Sequence, residues 1–247
     1  MKGTFSRMHA YRNAIAEIWK AYALVPDSDA VTRHNLIVNA ASNYTRMGLQ
    51  DSAIITFHRG LRYIRAQHEP DQENKDYSVF IASAMNNLGN TYYTQGKLDA
   101  AIEQFEGALE IRRKSLGDEH LDVAYCHQNL GNARWMKGEL GPAASHYQKA
   151  VDIRAAKLDA QHPRLALSRA NLGGLLCELE RWDACEEQLR LALEAQAGHA
   201  KQHVAFHGHW AYSFKPLVVC RNQSTTKLTP MVRMAIAAAG ISGVMSP

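Results

Sequence analysis

The sequence predicts an all-α protein made of stacked pairs of antiparallel helices. Its main feature is a 42-residue pattern that occurs nearly three times between residues 82 and 197, with the tripeptide Asn-Leu-Gly starting at Asn87, Asn129 and Asn171. Within each copy the apolar residues recur at helical spacing in two blocks. A turn signal such as Gly96-Lys97 separates the blocks, so each copy is expected to fold as two helices.

Residues 1–33 are predicted to contain one helix over 9–25, which Pro26 ends. Two interpretations of this helix stay open. Ala14-Ile15 matches Ala53-Ile54 of a later second helix, which suggests the second half of a truncated repeat in a longer protein. The helix could equally be an N-terminal cap, because terminal repeats are commonly atypical.

The repeat array is expected to cover residues 34–197. The first helix pair runs from His34 to Arg65. Its residues lie 48 positions before the matching residues of the next pair, whereas later repeats are 42 positions apart. The six additional residues are assigned to the polar, Pro-containing stretch 67–76, which is predicted to be the longest exposed loop. The four repeats are therefore placed at 34–81, 82–123, 124–165 and 166–197.

Each repeat from residue 82 onwards carries a glycine in the middle of its first helix, at Gly89, Gly131 and Gly173. A glycine at such a position costs about 1 kcal/mol relative to alanine. That cost is tolerable where the glycine lets two helices approach closely. A single helix pair cannot bury its apolar face alone, so at least three pairs must stack.

These positions resemble those of the tetratricopeptide repeat (TPR). With Ala82 as position one, the first copy has Leu and Gly at seven and eight, Tyr at eleven, Ala at twenty, Phe at twenty-four and Ala at twenty-seven. The usual unit is about 34 residues. The longer loops at 115–120 and 157–163 look like those of kinesin-light-chain-type repeats. The resemblance implies a right-handed superhelix, an α-solenoid, whose first helices line a concave groove.

The best candidate site is a row of asparagines on the first helices. Position six is Asn39, Asn87, Asn129 and Asn171, and position nine adds Asn90 and Asn132. The resemblance implies that this row lines the groove and binds the backbone of an extended peptide. An amide offers two donors and two acceptor lone pairs, which suits that task. The alternative is that the amides bond to backbone or to each other and fix the stacking of the repeats.

Three further side chains are predicted beside this row. Tyr93 and Trp135 would serve as apolar anchors and Arg169 as a partner for a carboxylate. The alternative for the two aromatic residues is ordinary packing between helices. We find no cluster of Lys and Arg along this face that would bind a peptide with two carboxylates.

The charge is distributed unevenly along the chain. The net charge is +2 over residues 1–81, −3 over 82–197 and +5 over 198–247. The basic, aromatic tail is either unstructured or carries a short helix at 230–239. It raises a rival hypothesis, a nucleic-acid-associated helical repeat, against which the acidic array counts. A third hypothesis is a regulatory or sensor region of a larger signalling NTPase.

The sequence contains no phosphate-binding loop, nucleophile elbow or HExxH motif, so no enzymatic activity and no cofactor are predicted. His199, His203 and His207 share one helical face, but the adjacent glycines argue against a metal site there. The four cysteines are expected to be small buried residues of a reducing, cytoplasmic compartment. No membrane partner is predicted. We therefore expect a non-catalytic scaffold or adaptor that binds a protein or peptide.

Overall fold

The computed structural model describes residues 2–67 and 75–202, and these residues form nine helices and no strand. The all-α prediction is confirmed for this part of the chain. The helices are α1 (Lys2–Leu24), α2 (Ala30–Arg46), α3 (Gln50–Gln67), α4 (Lys75–Thr94), α5 (Leu98–Leu116), α6 (Leu121–Met136), α7 (Leu140–Lys157), α8 (Pro163–Glu178) and α9 (Trp182–Gln202). Helix α2 packs on α3, α4 on α5, and α8 on α9, as expected for helix pairs.

The chain forms two compact units, the first ending at Asn129 and the second starting at Leu130. The core of the first unit includes Phe57 and Leu88, which are 1% and 0% exposed. The core of the second unit includes Tyr147 and Leu175, both 0% exposed. Each unit therefore buries its own apolar side chains, as the helical spacing of those side chains predicts.

The turns between paired helices share one hydrogen-bonding pattern. In each turn a backbone amide donates to the backbone carbonyl five residues earlier, in the last turn of the first helix. The donor and acceptor residues are Leu49 and Tyr44, Lys97 and Tyr92, Glu139 and Arg134, and Arg181 and Leu176. The residue before the donor has a positive φ, and it is glycine in three of the turns. In the fourth it is Glu180, with φ of 58°. The breaker predicted at Gly96-Lys97 is thus confirmed.

The mid-helix glycines pack against a large side chain of the paired helix. A Cβ built on Gly89 would lie 2.6 Å from the ring of Phe105, and one built on Gly131 would lie 2.5 Å from the ring of Tyr147. The sequence suggested that these glycines let two helix backbones approach closely, but at both positions the space is filled by an aromatic ring of the paired helix. The contact is with the side chain at position twenty-four of the pattern.

Two buried arginines connect successive helix pairs. Arg112 of α5 is 6% exposed and donates to the carbonyl of Asp122, over 3.3 Å, and to Sγ of Cys126, over 3.2 Å. Arg154 of α7 is 5% exposed and donates to the hydroxyl of Ser168 in α8. Both arginines occupy the same position of the 42-residue pattern. Each therefore attaches a second helix to the first helix of the next repeat.

Two histidines at the same position of the pattern, His120 and His162, accept hydrogen bonds at helix starts. Nδ1 of His120 accepts a hydrogen bond from the amide of Asp122, and Nδ1 of His162 accepts one from the amide of Arg164, both over 3.1 Å. These bonds satisfy amides that would otherwise lack a partner in the first turn of α6 and α8. This shared role accounts for the histidine at the same position of the two loops.

Several helix ends differ from the predicted ones. Helix α1 starts at Lys2, seven residues before the predicted start, and α2 starts at Ala30, four residues before His34. Helix α9 continues past Gly198 to Gln202, so the helical pattern does not stop at residue 197. The predicted loop lies partly outside the described residues, and so does the tail, including the candidate helix 230–239 and His203 and His207.

Helix α1 is held to its neighbours by arginines over aromatic rings. Cζ of Arg59 in α3 lies 5.2 Å from the ring centroid of Trp19 and 5.7 Å from that of Tyr22. Arg33 of α2 lies 4.9 Å from the Tyr22 ring and donates to the carbonyl of Val25 over 2.7 Å. These contacts stabilise the C-terminal half of α1 on α2 and α3.

Two cysteines pair, which the sequence did not predict. Cys177 at the end of α8 and Cys185 at the start of α9 form a disulfide across the turn, with their Cα atoms 5.2 Å apart. Both side chains are buried in the core of the second unit, as expected. The expectation that they are unpaired was wrong, because their spacing matches no familiar motif. It is confirmed for Cys126, a buried free thiol. Among the described helices, none is long and apolar enough to cross a bilayer.

Candidate functional site

The candidate site of the first unit starts from one face of α4. Ser83, Asn87, Asn90 and Tyr93 follow one another at intervals of four, three and three residues, so they share a helical face. All four are half-buried, whereas Leu88 and Gly89, which point towards the paired helix, are buried. The face therefore presents two amides, a hydroxyl and an aromatic ring. We call these four residues the α4 stripe.

The corresponding residues of α2 form a second polar stripe. Asn35, Asn39, Ser42 and Thr45 occupy the same positions of the first repeat; Asn39 is exposed and the other three are half-buried. The hydroxyls of Thr45 and Thr91 lie 3.1 Å apart and join α2 to α4. We call these four residues the α2 stripe. Asn35 and Ser42 were not predicted as site residues, although their spacing from Asn39 would have indicated them.

The asparagines of the predicted row differ in the hydrogen bonds of their side chains. Nδ2 of Asn129 in α6 donates to Oδ1 of Asn86 in α4 over 2.9 Å, and both residues are buried. In contrast, the side-chain amides of Asn39, Asn87 and Asn90 make no hydrogen bond to any described residue. Asn129 is therefore used to hold adjacent first helices together. The amides of the other three remain available.

The sequence explains why Asn87 and Asn129 differ. Asn86, the acceptor for Asn129, occupies position five of the preceding repeat. The residue at position five before Asn87 is Val38, a partly buried side chain packed on the core. Valine has no side-chain hydrogen-bonding group. The first repeat thus offers Asn87 no equivalent of the Asn86–Asn129 bond.

The second unit holds the predicted residues of α6 and α8. The hydroxyl of Tyr147 donates to Oδ1 of Asn132 over 2.6 Å. The indole of Trp135 donates to Oε2 of Glu178 over 2.5 Å, and its ring meets that of Tyr147 edge-on at 6.2 Å. Trp135 is therefore fixed by contacts within the unit. It also packs against the apolar core of that unit, and its role as an anchor for a ligand stays a prediction.

Asn171 and Arg169 lie on α8 in different environments. Asn171 is 4% exposed, and its Oδ1 has no hydrogen-bond partner among the described residues. Arg169 is half-buried and forms no ion pair within the described part of the chain. The neighbouring Cys177 is committed to the disulfide. Asn171 is thus the least accessible member of the predicted row.

The electrostatics of the two stripes are weak. None of their eight residues carries a charge at neutral pH. Burial raises the pKa of the Tyr93 hydroxyl above its ordinary value, so the phenol stays neutral and can donate or accept a hydrogen bond. Within residues 2–67 and 75–202, no group of three or more His, Cys, Asp or Glu side chains is placed to hold a metal ion.

Such an arrangement can bind hydrogen-bonding groups. Three asparagine amides together offer donors and acceptors in alternation. The backbone of an extended peptide has the same alternation of N–H and C=O groups. The stripes therefore match a polypeptide backbone better than they match a charged ligand.

Helix pairs joined by Schellman-type turns, with a glycine facing a large side chain of the paired helix, define a helical-repeat protein. Residues 80–156 match the tetratricopeptide repeat family model. The resemblance to the tetratricopeptide repeat is therefore confirmed over these residues.

Solved structures with this fold cover most of the chain. BtubC (BKLC) from P. vanneervenii is 20% identical with a TM-score of 0.68, over 78% of this chain and 76% of that one. A kinesin light chain protein of Podosopora anserina with nearly identical TPR-like repeats is 17% identical with a TM-score of 0.61, over 82% and 94%. RapI in its apo form is 17% identical with a TM-score of 0.65, over 96% and 60%. No curated protein matches the chain in sequence.

Proposed function

We propose that the chain is a non-catalytic scaffold or adaptor that binds an extended segment of a partner protein along the α2 and α4 stripes. One observation carries the proposal: Asn87 and Asn90 present half-buried side-chain amides with no hydrogen-bond partner among the described residues. Neither amide is among the buried polar atoms that lack a partner, so both are reached by water in the free chain. A bound peptide backbone can take the place of that water.

The stripes suggest how the segment is held. Asn39, Asn87 and Asn90 would bond to its main chain, which makes the interaction tolerant of its side-chain sequence. Tyr93 would pack against one side chain of the segment through its ring, and its hydroxyl would bond to a polar group nearby. The lack of charge on the stripes favours a segment without a strong net charge at this site.

In the second unit, Asn132, Trp135, Arg169 and Asn171 support a contact of the same kind. Nδ2 of Asn132 still has donors to offer, because only its Oδ1 is used by Tyr147. Arg169 has no ion pair within the described part of the chain and would suit a carboxylate. Asn129 is assigned a structural role instead, since its amide is bonded to Asn86.

The test starts from a peptide selected on the full chain from a random peptide library. Calorimetric titration then compares the wild-type chain with the double variant Asn87→Ala/Asn90→Ala. Loss of two hydrogen bonds of about 1 kcal/mol each should weaken binding roughly thirtyfold. The thermal melting curve should change little, because neither amide is bonded within the described chain.

The matched control is Asn129→Ala, which removes the same amide at the same position of the next repeat. We expect this variant to melt at a lower temperature and to bind the peptide as the wild type does. An unchanged affinity of the Asn87/Asn90 variant would exclude the stripes as the peptide site. Equal losses of affinity and stability in that variant would show that the two asparagines are structural.

A further inference from the structure

A second surface lies on the exposed face of α3, on residues that the α2 and α4 stripes do not use. Ile55, Arg59, Arg62 and Arg65 are all exposed and recur at intervals of four, three and three residues, so they form one stripe. Ten residues of helix separate its ends by about 15 Å. Ile55 is 70% exposed, which is unusual for a large apolar side chain.

The arginines of this stripe have no carboxylate partner among the residues that the structure describes. Arg59 and Arg62 make no ion pair or hydrogen bond to any described residue, and Arg65 only approaches the sulfur of Met85, at 3.8 Å. The equivalent helix α5 is different: its Lys114 pairs with Glu110 over 2.7 Å, and its Arg113 pairs with Asp118. The stripe on α3 is thus a local excess of positive charge that α5 lacks.

Arg59 is also held in place. Its guanidinium lies over the rings of Trp19 and Tyr22, at 5.2 Å and 5.7 Å from their centroids. Stacking fixes the plane of the guanidinium while its N–H donors stay free for a planar acceptor. A side chain ordered in this way loses less entropy when it binds a carboxylate through two hydrogen bonds.

We propose that Ile55, Arg59, Arg62 and Arg65 form a docking surface for an acidic segment of a partner protein that carries an apolar side chain next to its carboxylates. The exposed apolar side chain of Ile55 favours a protein over a nucleic acid as the partner. An apolar side chain on the partner would bury Ile55, whereas phosphates would gain nothing from it. The rings of Trp19 and Tyr22 are covered by Arg59, which removes them as a platform for stacking bases.

The experiment measures fluorescence anisotropy with the full chain and a fluorescein-labelled 12-residue peptide in which Glu and Asp alternate with Leu. A twin peptide has Gln and Asn in place of the carboxylates. The double variant Arg59→Gln/Arg62→Gln should bind the acidic peptide about tenfold more weakly than the wild type, since each exposed arginine–carboxylate contact is modest. Ile55→Ala should weaken binding about threefold through its apolar contact alone.

The matched control is Arg113→Gln/Lys114→Gln on α5, which removes two positive charges that are already paired. We expect its affinity to stay within about twofold of the wild type, because the net charge alone contributes little to a short-range contact. Circular dichroism melts of all variants verify that they are folded. The basic tail is present in every variant, so it cannot produce a difference between them.

Three results would overturn the proposal. The first is that the wild-type chain binds the acidic peptide no better than its amide twin. The second is that the α3 and α5 variants lose affinity equally, which would indicate non-specific attraction. The third is that a single-stranded RNA of the same length binds more tightly than the acidic peptide and loses its affinity in the α3 variant, which would assign this surface to nucleic acid.

Discussion

The side-chain amide of Asn129 donates to the side-chain oxygen of Asn86 across 2.9 Å, in the interior of the first unit. The bond joins the first helices of two successive repeats, α4 and α6. It accounts for one member of a row that the sequence presents as uniform. Neighbouring Asn87 and Asn90 have no such bond among the described residues, and the proposed function assigns peptide binding to these two and a structural role to Asn129.

The bond predicts a coupled loss of stability. Asn129→Ala leaves Oδ1 of Asn86 buried without its donor, which should lower the free energy of unfolding by about 1–2 kcal/mol. Asn86→Ala should have a similar effect, and the double variant should lose less than the sum of the two, because the partners fail together. Urea denaturation of the four chains measures the cycle. Strict additivity would mean that the two amides do not interact.

Alanine substitutions of two glycines, Gly131 in α6 and Gly141 in α7, are expected to change stability in opposite directions. A methyl group on Gly131 would lie 2.5 Å from the Tyr147 ring, so Gly131→Ala should destabilise the chain by about 1–3 kcal/mol. Gly141, in the first turn of α7, has no atom within 4 Å of an added Cβ. Gly141→Ala should therefore stabilise the chain by up to about 1 kcal/mol. Thermal melts compare the two; a stabilising Gly131→Ala would contradict the packing described above.

The turn between α8 and α9 contains a residue in an unfavourable conformation. Glu180 has φ of 58°, where the other three turns have Gly48, Gly96 or Gly138. A left-handed conformation costs a residue with a side chain roughly 1 kcal/mol, so Glu180→Gly should raise the free energy of unfolding by about that amount. Gly96→Ala is the reverse test and should lower it. Denaturant midpoints of the two variants should therefore move in opposite directions.

His146 of α7 makes stability depend on pH. Burial, and then the positive charges of Arg134 and Lys149, lower its pKa from 6.5 to about 4. The unfolded chain then binds more protons than the folded one between these values, so stability falls as the pH drops from about 6.5 to about 4.

The variant His146→Gln has no imidazole to protonate and should lose less stability than the wild type over the same pH range. The two losses should differ by about 1–2 kcal/mol at most, because the imidazole is only half-buried. The buried His34, whose pKa is also lowered, remains in both chains and contributes equally. Urea titrations at pH 7.5, 5.5 and 4.5 measure the difference. Parallel curves for the two chains would show that His146 is protonated alike in both states.

Much of the fold follows from local sequence signals. The helical spacing of apolar residues and the glycines after the first helices together predict helix pairs and turns, but they did not predict that an aromatic ring such as that of Tyr147 packs over Gly131. Helix ends were less predictable, because the start of α1 and the end of α9 depend on packing as well as on capping residues. The Gly198 signal, for example, did not end α9.

The site was only partly predictable for a physical reason. A repeat aligns residues by position, but a hydrogen bond depends on what the preceding repeat offers. Asn129 faces Asn86, whereas the residue corresponding to Asn86 before Asn87 is Val38. The pairing of Cys177 with Cys185 likewise depends on how α8 and α9 meet. Comparing each position with its neighbour in the previous repeat would have identified the first of these differences.

The most direct test of the binding proposal observes the side-chain amides themselves. A ¹⁵N-labelled chain is titrated with the library-selected peptide, and the NH₂ resonances of the asparagines are followed by NMR. We expect the signals of Asn87 and Asn90 to shift with the titration while those of Asn129 stay in place. Shifts at Asn129 with none at Asn87 and Asn90 would contradict the account, because the peptide would then bind where the amides are already paired.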